Sequence, residues 1–217
     1  MQYKKLACVL AACAALLLSG CASFRNNEIA DVGVLPDVSR YATKPSVFVE
    51  THFYRGDPAS APVETLTIKD KVKEKIGQTL SESTLFSKYS FDEKDRTDAD
   101  YAIRIDIYNH GEQGLAALAG FISGFTFGVI PAAATDNYTL EAKLLDRSGT
   151  VVSTSRNKDS ITTWIGIWFL PMAASTPDKA FSATLDNQLK AVLKELVEGG
   201  KLKYSELRRL SAGLLVG

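Results

Sequence analysis

His52 and His110 lie far apart in the chain, and neither sits in the HExxH or paired-histidine spacing that puts two imidazoles on one helix face for a zinc ion. His110 stands beside Glu112, a lone pair that reads as a polar strand end. Ser123, in Phe121-Ile-Ser-Gly-Phe125, lacks the first glycine of the GxSxG turn that exposes a nucleophile, and its neighbours are apolar. The acidic run from Asp92 to Asp100 misses the alternating acid and glycine pattern of a calcium loop, so it reads as a solvated loop. No glycine-rich phosphate loop follows any expected strand. The sequence therefore predicts a protein that is not an enzyme, with no catalytic residue, no metal and no cofactor.

The cysteines point elsewhere. Lys4 and Lys5 precede the apolar run Leu6 to Leu18, and Ser19-Gly20-Cys21 follows, which is the order of a secretory signal. Leu17-Leu18-Ser19-Gly20-Cys21-Ala22-Ser23 resembles the lipobox of bacterial envelope lipoproteins. That resemblance implies cleavage before Cys21 and acyl chains, palmitate among them, on its thiol and amine. It also implies a membrane partner reached through those chains. Several chains at about 0.8 kcal/mol per buried CH2 make such an anchor effectively permanent. With Ala22 rather than Asp after the cysteine, the resemblance implies the outer membrane, on its periplasmic side.

Without residues 1–20 the chain keeps 197 residues and 23 basic against 25 acidic side chains, a net charge of −2. This balance offers no basic field for nucleic acid. Cys8 and Cys13 leave with the signal, so the domain is expected to have no disulfide and no thiolate chemistry. Residues 21–45, with Asn26, Asn27, Pro36 and Pro45 and no sustained period, read as a lipidated N-terminus and surface linker.

Periodicity organises residues 46–200 as the domain. Ser46 to Tyr54 and Tyr101 to Asn109 alternate apolar and polar positions as half-buried strands. Asn137 to Asp146 and Thr150 to Ser155, joined at Arg147-Ser148-Gly149, read as a hairpin. Ile68, Val72, Ile76 and Leu80 recur at helical spacing after Thr67 and Asp70, which resemble a capping box. Thr176-Pro177-Asp178 opens a second amphipathic helix that carries Phe181, Leu185, Leu189, Val192, Leu193 and Leu196 to a stop at Gly199-Gly200. Residues 201–217 read as a short basic tail helix on the domain edge. The expected class is α+β: an antiparallel or mixed sheet of at least four strands with both helices on one face, plus an apolar insert. In element order this is loosely similar to the lipoproteins of the curli-secretion channel and the activators of penicillin-binding proteins, though no motif carries their functional residues across.

Two charge-free stretches stand out, 114–134 and 162–174. On a helix Ala116, Gly120, Gly124 and Gly128 would form a bare ridge open to another backbone. Gly114 to Ile130 would span about 25 Å before Pro131, short of the ~30 Å hydrocarbon core. As a strand, Ser123 to Ile130 would instead set Phe125, Phe127 and Val129 opposite Gly124, Thr126 and Gly128. The stretches could pack together over the sheet, dock on a membrane or join copies of the chain. Contact residues on this reading are Gly120, Phe121, Gly124, Phe125, Phe127, Gly128, Trp164, Trp168 and Phe169. The expected function is structural, assembly or docking work by a lipid-anchored protein, with the membrane, a second copy or other envelope proteins as partners. The alternative is a binding module for a lipid or hydrophobic ligand in envelope transport.

Overall fold

The computed structural model of the protein describes residues 20–111, 120, 123–126 and 128–206. In chain order its strands are β1 (Gly20–Arg25), β2 (Tyr41–Thr43), β3 (Ser46–Arg55), β4 (Val63–Glu64), β5 (Lys88–Ser90), β6 (Tyr101–Asn109), β7 (Ala132–Asp146), β8 (Val151–Gly166) and β9 (Ser205–Glu206). Two α-helices lie wholly within the described residues, α1 (Lys69–Ser83) and α2 (Pro177–Glu198). A seven-stranded mixed sheet runs β1-β8-β7-β6-β3-β4, with β5 also paired to β3, and β2 with β9 forms a separate ribbon. The class is α+β.

The alternation read in the sequence builds the core. Val47, Val49 and Phe53 of β3, Ile103, Ile105 and Ile107 of β6, and Leu140, Ala142 and Leu144 of β7 all point to one face. Val72, Ile76 and Leu80 of α1 and Leu185, Leu189, Val192, Leu193 and Leu196 of α2 close over them. β3 and β6 pair in parallel because α1 carries the chain back between them, whereas β6, β7, β8 and β1 are antiparallel.

The structure departs from the sequence reading in four places. The expected linker at 21–45 is built into the domain: β1 pairs residue by residue with β8, and Arg25 reaches the buried Asp159 at 3.2 Å. The chain then lies against α2, where the buried Asn187 side chain accepts from Val32 N at 2.9 Å and donates to Ala30 O at 3.2 Å. An irregular polar segment shows no period, yet it is ordered by partners more than a hundred residues away. Second, the capping box does not form. Ile68 is the N-cap of α1 without a side-chain bond, and the Thr67 hydroxyl lies 3.3 Å from that of Thr65. Third, the hairpin is much longer than its apolar alternation, because Ala132–Asp136 and Arg156–Gly166 extend both arms. On β8, Ser155 and Asn157 meet Glu195 and Gln188 of α2, so polar bonds rather than apolar burial hold that part of the sheet to its helix. Fourth, the tail expected as a helix from 201 is not helical where it is described: residues 201–204 are irregular and Ser205–Glu206 form β9, drawn out of helix by pairing with β2. The rest of that tail, 207–217, and residues 1–19 of the expected signal lie outside the described residues.

Candidate functional site

The two apolar stretches are less separate from the sheet than their composition implies. Ala132–Ala134 begin β7 and Thr162–Gly166 end β8, so only the residues between β6 and β7, and a 3-10 turn at Ile167–Met172, project beyond it. These two projections meet. Ile167 N donates to Gly128 O at 3.0 Å, and the Trp168 indole Nε1 donates to Val129 O at 3.0 Å. Gly128 has φ +77°, and a Cβ there would stand 3.2 Å from Ile167 N, so this crossing requires glycine.

Residues 123–125 are helical, but the chain turns at Thr126 and at Gly128. Among the described residues, no atom outside their own helix turn lies within 4 Å of a Cβ built on Gly120 or Gly124. Phe121 and Phe127, like residues 112–119, lie outside the described residues. No helix among the described residues is long and apolar enough to cross a membrane.

At this end of the fold large apolar side chains face solvent. Phe125 is 77 % exposed, Trp168 64 %, Val129 56 %, Ile130 52 % and Met172 48 %. Trp164, whose ring lies 5.5 Å from that of Phe169, and Leu170 are exposed at the margin. Contiguous exposure of this kind departs from the single scattered apolar residues of an ordinary surface.

Cys21 belongs to the same rim. It is exposed and unbridged, and in β1 it stands opposite Ile165 of β8, which in turn pairs with Ala132 of β7. The 3-10 turn folds back over its neighbour: a Cβ on Gly20 would lie 2.6 Å from Leu170 N, and Ala22 is fully buried. The structure thus brings together Cys21, Phe125, Gly128, Trp164, Trp168 and Phe169, which the sequence scatters over nearly 150 positions.

The polar side chains with chemical potential are arranged differently. Ser123 is buried, and its Oγ donates to Ile165 O at 3.4 Å, with no base bonded to it among the described residues. Asp100 accepts from Ser46 N and pairs with Arg147 at 2.7 Å, so the acidic run serves loop structure. His110 Nε2 lies 2.8 Å from the Thr139 hydroxyl. On the sheet face away from the helices, His52 bridges two acids, with Nε2 2.8 Å from Glu50 and Nδ1 2.8 Å from Glu64. Burial alone would lower the His52 pKa, but its hydrogen bonds to Glu50 and Glu64 outweigh that and hold it above the ordinary histidine value. Burial likewise works to raise Glu50, yet the bond to His52 and the Arg104 charge bring its pKa below the usual carboxylate range. No group of three or more His, Cys, Asp or Glu among the described residues is arranged to hold a metal ion.

No protein-family model matches the chain, and no curated protein matches it. Among solved structures, the PelC dodecamer from Paraburkholderia phytofirmans is 12 % identical over 81 % of this chain and 97 % of its own, with a TM-score of 0.36. A minor lipoprotein from Acinetobacter baumannii is 11 % identical over 76 % of this chain and 98 % of its own, with a TM-score of 0.37. A structure described as a homolog of the neuraminyllactose-binding hemagglutinin, from Helicobacter pylori, is 11 % identical over 74 % of this chain and 87 % of its own, at a TM-score of 0.44.

Proposed function

We propose that the protein is a lipid-anchored lipoprotein of the outer membrane, facing the periplasm, with a non-enzymatic docking or assembly role. The single observation that carries this reading is the place of Cys21. It sits in the edge strand β1 at the end of the sheet where Phe125, Val129, Ile130 and Trp168 are exposed, so acyl chains on its thiol and amine leave the fold at that apolar end.

With no tether between Cys21 and the sheet, the anchor fixes orientation as well as location. The rim rests on the bilayer, its indoles at the headgroup level where an amphipathic ring is most stable. Each contact is individually weak, but the anchor holds it at high effective concentration. The opposite end of the sheet is then presented to envelope partners.

Both tryptophans of the chain, Trp164 and Trp168, lie in this rim, so intrinsic fluorescence reports on it without labelling. The Cys21→Ser chain, which takes no acyl groups, is mixed with phospholipid vesicles. A blue shift of emission and quenching by brominated acyl chains are expected, and unchanged spectra at saturating lipid would remove bilayer contact from the reading. In cells, envelope fractionation of the wild type should find it in outer-membrane fractions and sensitive to loss of Cys21; recovery of wild type as a free periplasmic protein would overturn the anchor itself.

A further inference from the structure

A cavity apart from the rim opens where the C-terminal ends of β3 and β6 meet the first turns of α1 and α2. Its volume is about 290 Å³, at the small end of ligand pockets and too small for a whole diacyl lipid. The floor is aromatic. Phe53 and Tyr138 are buried, and Phe181 packs against both, with ring centroids 6.3 and 5.4 Å away.

The mouth is polar and carries one uncompensated positive charge. Lys71 is paired with Asp178, whereas the side chain of the exposed Arg55 makes no ion pair or hydrogen bond among the described residues. Asn109 Nδ2 donates to the Tyr138 hydroxyl at 3.1 Å, which leaves the phenol its own proton to donate. Burial pushes the pKa of that phenol up, so it stays protonated. Because α1 has no side-chain cap, the amides of Asp70 and Lys71 in its first turn also lack an acceptor among the described residues.

We propose that this cavity binds the anionic group of an amphiphile. One phosphate or carboxylate oxygen set meets Arg55 and the hydroxyl of Tyr138, while the adjoining apolar portion lies on Phe53 and Phe181. A planar guanidinium suits such an anion because two parallel N–H donors match its oxygens. The cavity lies toward the same end of the sheet as Cys21: Arg55, Asn109 and Tyr138 share one register row, and β7 continues from Tyr138 back to Ala132 in the row of Cys21. Two sources can present this chemistry there, an anionic lipid headgroup or a free amphiphilic anion, and the binding itself needs no lipid on Cys21.

The test is calorimetric titration of the purified full-length Cys21→Ser chain, which takes no acyl groups, with water-soluble dibutanoyl phosphatidylglycerol, phenyl phosphate and inorganic phosphate. Saturable binding of the phosphatidylglycerol assigns the headgroup as source; binding of phenyl phosphate alone assigns a free anion. Arg55→Ala, at an exposed position that leaves the fold intact, should weaken either by about tenfold or more, the scale of one charge-assisted contact. Phe181→Leu should weaken the amphiphiles and not inorganic phosphate. The proposal is overturned if none of the three saturates, if Arg55→Ala binds like wild type, or if inorganic phosphate binds as tightly as the amphiphiles. Since no vesicle or anchor enters this measurement, its failure is separable from failure of the docking reading.

Discussion

His52 shows how a residue that invites a catalytic reading can be explained by its bonds. Protonated, it donates to Glu50 on its own strand and to Glu64 on β4, and Arg104 and Arg96 complete the charge set around it. Its folded pKa is raised, so this contribution to stability is full below the ordinary histidine pKa of about 6.5 and is lost as pH rises through the higher folded value. Thermal midpoints measured from pH 5 to 9 should therefore fall across that window more in wild type than in His52→Gln; parallel curves would deny the bridge a role. Asn187 offers a second residue-scale test. Its buried amide holds the segment after β1, and Asn187→Leu should cost about 1–3 kcal/mol in a denaturant titration by leaving Val32 N and Ala30 O unpaired. Neither role was legible in the sequence, where His52 is simply an outward strand position and Asn187 a polar interruption of a helical stripe.

Among the elements, legibility tracked the source of order. α2 was readable at its start, since Thr176 does cap it through Lys179 N at 3.3 Å and Pro177 occupies its first turn. Removing that cap with Thr176→Ala should lower stability by about 1 kcal/mol. β1 was unreadable because its residues serve two readings, the end of a signal and an edge strand, and only the pairing with β8 reveals the second. The crossing of the 120s segment with the 3-10 turn was half legible: its apolar composition was plain, whereas the hydrogen bonds from Ile167 and Trp168 were not. Gly128→Ala is a direct test of that element. A methyl group at φ +77° and 3.2 Å from a backbone nitrogen should destabilise the rim by about 1–2 kcal/mol, seen as faster amide exchange of Ile167 in wild-type buffer. Exchange equal to wild type would mean the segments do not depend on each other.

For the whole molecule, the arrangement separates an apolar end carrying Cys21 from a sheet face rich in paired charges. Ile130→Glu combined with Met172→Glu should abolish vesicle binding by the unacylated chain and leave its melting midpoint close to wild type, because both side chains are exposed and neither makes the hydrogen bonds of the crossing. Loss of folding together with binding would instead show the rim to be core. The sequence by itself determined the core strands, both helices and the α+β class, because each is written in local periodicity. Tertiary structure alone decided that Cys21 is held in the sheet and not at the end of a tether, that its row ends at Ile165 and Ala132, and that Phe53, Tyr138, Phe181 and Arg55 enclose one cavity. The reason is physical. Strand pairing and cavity walls join residues through hydrogen bonds and contacts between distant segments, and such partners leave no period in the chain that carries them.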